Sequence, residues 1–172
     1  MFLYQNLWSL SLKIKILDSK RITESTITAI LRSGALEYND NGGIYITAYP
    51  FKFWLDVDDK RKLLVMYTYW QIAPEVEELD ILRFVNHANA QKIMLQFSYN
   101  AELGRFYGHY THPYSVGLLP PHVLKLCQNF SAIFEEVVHE GIAEGLLEEL
   151  PQCLSYDADE AASDAASDST LH

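Results

Sequence analysis

Apolar and polar residues alternate most strongly over residues 51–70, FKFWLDVDDKRKLLVMYTYW. Phe51, Phe53, Leu55 and Val57 fall on one side of an extended chain, and Lys52, Trp54, Asp56 and Asp58 on the other. Beyond the charged turn Asp58-Asp59-Lys60-Arg61, Leu63, Val65, Tyr67 and Tyr69 oppose Leu64, Met66, Thr68 and Trp70. Side chains alternate across a strand, so this pattern predicts a hairpin with one apolar face and a second that is partly apolar. The turn lacks an Asn-Gly or Asp-Gly pair, which predicts a loop of several residues.

The same reading extends along the chain. Residues 9–17 alternate Leu10, Leu12, Ile14 and Ile16 with Ser9, Ser11, Lys13 and Lys15, the period of a strand. It is either an edge strand of the same sheet or an arm that pairs with a second subunit. Residues 23–33 predict a helix capped by Thr23 or Ser25, striped by Ile27, Ile30 and Leu31, and stopped by a left-handed Gly34. Residues 36–39 and 44–49 flank Asp40-Asn41-Gly42-Gly43 as a second hairpin, closed off by Pro50. Residues 74–91 predict a helix with Pro74 in its first turn, acids at its positive end, and a stripe of Val76, Leu79, Leu82 and Val85 beside Ile81, Phe84 and Ala88. A third hairpin joins residues 93–100 to 105–112, and Pro120-Pro121 opens a long final helix through Val123, Leu126, Cys127, Phe130, Phe134 and Val137, weakened at its far end by Gly141 and Gly145. The sum is an α+β fold: a single twisted antiparallel β-sheet with helices packed on one face. Residues 1–20 form the arm or extra strand, 21–150 the domain, and 151–172 an acidic tail expected to be disordered.

Charge narrows the functions. The 172 residues carry a formal net charge of −10, with a pI of about 4.9. Lys60-Arg61-Lys62 is the one basic cluster, so nucleic-acid binding is not expected. No apolar run approaches the ~20 residues of a membrane helix. The start, MFLYQNLWSLSL, has neither a basic leader nor a small-residue cleavage site. Cys127 and Cys153 make no disulfide framework. A cytoplasmic protein with reduced thiols and no membrane partner is expected.

No catalytic set assembles along the chain. His109 and His112 are three apart on one strand and point to opposite faces, and His87, His122 and His139 form no metal-ligand spacing. Cys127 lies on the apolar side of a helix and reads as an inert thiol. Asp56, Asp58 and Asp59 lack the Gly and distal Glu of a calcium loop. The expectation is a non-enzyme without cofactor or metal. Tyr45, Tyr49, Trp54, Met66, Trp70, Met94 and Tyr107 are assigned to the sheet's second face. Either the N-terminal segment or the last helix covers that face, or it binds another protein, for which Tyr, Trp and Met are suited.

Short patterns over residues 23–141 carry a family resemblance: FWLDVDDKRKLLVMYTYW, the helix ending VNHANAQ with Asn86 and Asn89, the hairpin LQFSYNAELGRFYGHY, and VGLLPPHVLKLCQNF. With these the chain resembles the YbjN-like family, described as bacterial sensory transduction regulators. That resemblance implies a fold like the small acidic chaperones of type III secretion, typically dimers that present a sheet to a client protein. It transfers no active-site residues, and the N-terminal segment and acidic tail depart from it. Asn86 and Asn89 read as helix-ending residues that bond local backbone. The functional expectation is a chaperone-like, possible homodimer that captures a protein client or regulatory partner through Tyr45, Trp54, Leu64, Met66, Trp70 and Tyr107. A client adding to a sheet edge, a small-molecule sensor with a tyrosine-lined pocket between sheet and helices, and an enzyme with a dispersed site are the alternatives.

Overall fold

The computed structural model describes residues 15–149. Most of the alternating segment at 9–17, Cys153 and the acidic tail lie outside the described residues. Within them, a 3₁₀ turn at Ser19–Arg21 precedes α1 (Glu24–Ser33), β1 (Tyr38–Asn39), β2 (Ile44–Ile46), β3 (Phe53–Asp58), β4 (Leu63–Gln71), α2 (Glu78–Gln91), β5 (Gln96–Asn100), β6 (Arg105–Pro113) and α3 (Pro120–Ala143). The strands form one antiparallel sheet in the order β1-β2-β3-β4-β6-β5. Ahead of the sheet, Leu17 makes an isolated antiparallel bridge to Leu118.

Caps and turns follow local chemistry in most places. The Thr23 hydroxyl accepts the Thr26 amide and starts α1. Gly34 was expected as a left-handed stop, but its φ is −89° and Ala35 takes the positive φ instead. Gly34 instead sits where α1 meets α3: a Cβ there would sit 2.5 Å from Leu124 Cδ1 and require that side chain to shift. The helix expected from Pro74 begins at Glu78, because Ile72 bridges Leu147, the Ala73 amide donates to Leu146, and Glu75 turns to positive φ. In α2 only Ile81, Phe84 and Ala88 are buried, whereas Leu79 and Leu82 are exposed.

Register decides the faces. Asp58 stands opposite Leu63, so residues 59–62 form the loop; the Asp58 carboxylate accepts the Arg61 amide at 2.7 Å, and Lys62 takes a φ of 59°. Arg61 and Lys62 pair with Asp58 and Asp59, which neutralises the basic cluster locally. With Trp54 opposite Tyr67, the even positions of β3 share a face with the odd positions of β4.

The core lies on the other face. Buried residues of all three helices join one cluster with Ile44, Ile46, Phe53, Leu55, Leu64, Met66, Phe97 and Phe106. α3 lays Phe130 on Phe53 (4.7 Å between centroids) and Phe134 on Phe106 (6.2 Å), and Ser131 donates to the Phe51 carbonyl. Lys92, at the end of α2, ties to Glu136 and Glu140 of α3. The expected α+β layering, one antiparallel sheet with its helices on one side, is what the chain adopts.

At Gly108 of β6 α3 comes close to the sheet: a Cβ there would stand 2.5 Å from Phe134 Cδ2 and 3.4 Å from Phe97 Cε1. Phe134 is buried and packs against both Phe51 and Phe106. Gly108→Ala is therefore expected to destabilise the fold by about 1–3 kcal/mol, the usual cost of overpacking. A urea midpoint equal to the wild type would contradict this packing.

Candidate functional site: the aromatic sheet face

The face turned away from the helical core is built on one cross-strand row of rings. Tyr45 of β2 stands opposite Trp54 of β3, which stands opposite Tyr67 of β4, and Tyr69 stands opposite Tyr107 of β6. Directly opposed residues share a face, so the rings meet. Tyr45 and Trp54 are 4.6 Å apart between centroids. Trp54 stacks near-parallel to both Tyr67 (5.6 Å) and Tyr69 (6.1 Å), and Tyr69 meets Tyr107 at 5.7 Å. The Arg105 guanidinium lies 4.0 Å above the Tyr69 ring, a cation–π contact. All these side chains are half-buried.

Several groups on this face have shifted titrations. Burial first, and the charge of Tyr69 second, push the Tyr45 phenol up to about 12. Asp56, next but one to Trp54 on the same face, is raised by burial against a hydrogen bond with Tyr67. Burial lowers His109, which stands opposite Tyr67.

A cavity of about 250 Å³ opens at one end of the row. β3 stops pairing at Trp54–Tyr67 while β4 continues to Gln71, and the Thr68 hydroxyl donates to the Lys52 carbonyl at 2.8 Å. On the far side the chain returns from α3: the Glu148 amide donates to Gln71 O, and the Trp70 indole donates to Glu148 O. Lys52, Trp54, Tyr69, Arg105, Glu148 and Glu149 surround the opening.

The expected contact set divides. Tyr45, Trp54 and Tyr107 lie on the ring-bearing face, as expected. Leu64 and Met66 do not: both are 0% exposed in the helix-covered core, opposite Val57 and Leu55. No partner reaches them without unfolding, so their assignment as contacts is corrected. Trp70 also faces the helical side, packed on Phe51 at 5.2 Å, and is among the residues lining the cavity. Tyr49 and Met94 likewise pack against the core. Tyr67 and Tyr69 were not assigned to this face although their alternation was visible, because the face they join depends on the loop length.

Asn89 also differs from expectation. Its side chain donates to the Phe97 carbonyl at 2.9 Å and accepts the Phe97 amide at 2.8 Å, so it acts as a one-residue neighbour to the outer edge of β5. That edge is partly closed to strand addition.

Among the described residues no three His, Cys, Asp or Glu side chains come together to hold a metal. Burial pushes the Cys127 thiol up to about 12, far from a thiolate at neutral pH. No described helix is long and apolar enough to cross a membrane. His109 and His112 do point to opposite faces; His112 meets His122 at 5.3 Å and the Tyr110 hydroxyl at 3.2 Å.

Both strand histidines are held below the ordinary value of 6.5, His109 by burial and His112 by burial and then by His122. As pH falls through 6.5 the unfolded chain takes up protons that the folded chain refuses. Their contribution to stability is complete above 6.5 and is lost as pH falls through the folded-state values. The urea midpoint is expected to decline from about pH 7.5 to about pH 5.5, and His109→Gln with His112→Gln to flatten that slope. An unchanged slope in the double variant would contradict the assignment.

No family model matches the chain, and no curated protein matches it in sequence. Solved structures do. A chain of the HopA1–SchA chaperone–effector complex aligns at 14% identity with a TM-score of 0.46, over 66% of this chain and 88% of its own length, a likeness too slight to establish a common fold. YbjN from E. coli, a candidate transcription regulator, superposes with a TM-score of 0.65 at 11% identity, over 74% of this chain and 97% of its own. The architecture is therefore YbjN-like, in agreement with the resemblance carried by the sequence patterns.

Proposed function

We propose that the chain is a non-enzymatic, regulatory protein-binding module that takes a segment of a partner protein on its ring-bearing sheet face. The supporting observation is the row Tyr45, Trp54, Tyr67, Tyr69 and Tyr107, which crosses adjacent strands on the side away from the helical core. Tyr, Trp and Arg give large contact areas with few rotatable bonds, and interface energy concentrates on them. Strand addition is less favoured: Asn89 occupies the β5 edge, and β1 at the opposite edge has two residues. A small-molecule role is supported by the corner cavity, but about 250 Å³ falls below the ~300–1,000 Å³ of typical ligand pockets. It is better sized for one side chain of a bound segment.

Trp54→Ser combined with Tyr67→Ser is expected to reduce partner recovery from an extract of the source cells by at least about tenfold, the loss of two anchor rings. Circular dichroism should stay that of the folded chain, and Lys125→Ala on α3 should recover partners as the wild type does. Undiminished recovery by the folded double variant would overturn the assignment of this face.

A further inference from the structure

The segment that follows α3 arrives at the ring row by way of the corner cavity. Leu147 bridges Ile72, the Ala73 amide donates to Leu146 O and the Glu148 amide to Gln71 O, so residues 146–148 lie antiparallel beside the end of β4. They lie on the β3 side of it, because the Ile72 amide points the other way and donates to Gly104 O, just ahead of β6. Continued in register, Glu149 falls opposite Trp70 and residue 150 opposite Tyr69. The next place is already taken. Lys52 and Phe53 hold it as the chain enters β3, with the Thr68 hydroxyl on the Lys52 carbonyl at 2.8 Å. Pro151 also brings no N–H to a ladder. The sheet plane therefore has no room for this segment beyond residue 150. On the helical side of the corner Phe51 packs on both Trp70 and Phe134 and is buried with Phe134. On the other side the cavity gives on to Tyr45, Trp54 and Tyr69.

We propose that residues 150–156 of the chain itself, LPQCLSY, turn onto the ring-bearing face and lie across the row, so that the first occupant of this face is a segment of the same polypeptide. Its length suffices. The row crosses β2, β3, β4 and β6, three steps of ~4.8 Å each, and seven extended residues reach ~23 Å. Its composition suits the rings: Leu150, Cys153, Leu154 and Tyr156 are apolar or aromatic, and the acids begin only at Asp157. Laying such a strip on half-buried rings removes apolar surface of both from water. The row is not bare: Tyr45, Trp54, Tyr67, Tyr69, Arg105 and Tyr107 each hold at least one interaction beyond those given above. Tethered at Glu149, the segment competes for the face at an effective concentration on the order of millimolar, so a partner protein has to displace it. That last consequence rests on the partner-binding reading of the face; the cover itself does not.

The test is hydroxyl-radical footprinting of the full chain, which reads how much of each side chain meets water. Leu150→Ser combined with Leu154→Ser and Tyr156→Ser keeps the net charge and is expected to raise oxidation of Trp54, Tyr67 and Tyr107 several-fold. Tyr38 and Tyr99, which pack with the core at the two ends of the sheet, should keep their wild-type rates and so report an intact fold. Leu150→Ile with Leu154→Ile and Tyr156→Phe, which keep the bulk, should leave the row as protected as in the wild type. Unchanged oxidation of Trp54, Tyr67 and Tyr107 in the serine variant would overturn the cover. Partner recovery from an extract of the source cells, measured on the same proteins, is expected to rise with the serine variant. A row uncovered by footprinting, with recovery unchanged, would overturn the displacement and the partner-binding reading of this face while leaving the cover in place.

Discussion

The structure depends on the pairing of Trp54 with Tyr67. The loop at 59–62, held by the Asp58 carboxylate on the Arg61 amide, sets that register. A shift of one residue would exchange every side chain of β4 between the two faces. Leu64 and Met66 would then leave the core, and Tyr67 and Tyr69 would have to bury their hydroxyls beneath the helices. Burial of a hydroxyl without a partner costs about 1–3 kcal/mol, and loss of the two apolar side chains from the core costs more. The hydrophobic effect and the loop geometry thus select the same register.

From that register follows a division of labour among the aromatic residues. Phe53, Phe97, Phe106, Phe130 and Phe134 form the core, where α3 approaches close enough that Gly108 has no space for a side chain. Tyr45, Trp54, Tyr67, Tyr69 and Tyr107 lie on the opposite face, whereas Tyr49, Trp70, Tyr110 and Tyr114 pack with the core. Along β6, Phe106 is buried and Tyr107 half-buried on the other face, with Tyr110 back on the core side opposite Met66. The sheet is therefore chemically two-sided, and its accessible β5 edge is partly occupied by Asn89. These features together favour recognition through a face.

Much of this could be read from the chain. Alternation located β3, β4, β5 and β6, turn composition located the β1–β2 hairpin, helical spacing located α1 and α3, and Tyr45, Trp54 and Tyr107 were placed on the correct side. What the sequence could not supply was long-range. Whether Met66 or Tyr67 accompanies Trp54 turns on a loop of four rather than five residues, and both strands of residues in β4 are apolar enough to be buried. The start of α2 was displaced from Pro74 to Glu78 by a segment some seventy positions away, through Ala73–Leu146 and Ile72–Leu147. Asn89 looked like a helix-ending residue, and its partner Phe97 becomes visible only when α2 packs beside β5. Local rules predicted the elements, and tertiary contacts adjusted their ends and chose their faces.

The central claim is the register that puts rings on one side and Met66 on the other. It is tested most directly by nuclear Overhauser contacts between side chains in solution. The account predicts contacts from the Trp54 ring to Tyr45, Tyr67 and Tyr69, and from the Met66 methyl to Leu55 and Tyr110 across the neighbouring strands. Contacts between the Trp54 ring and the Met66 methyl, with none to Tyr67, would contradict it.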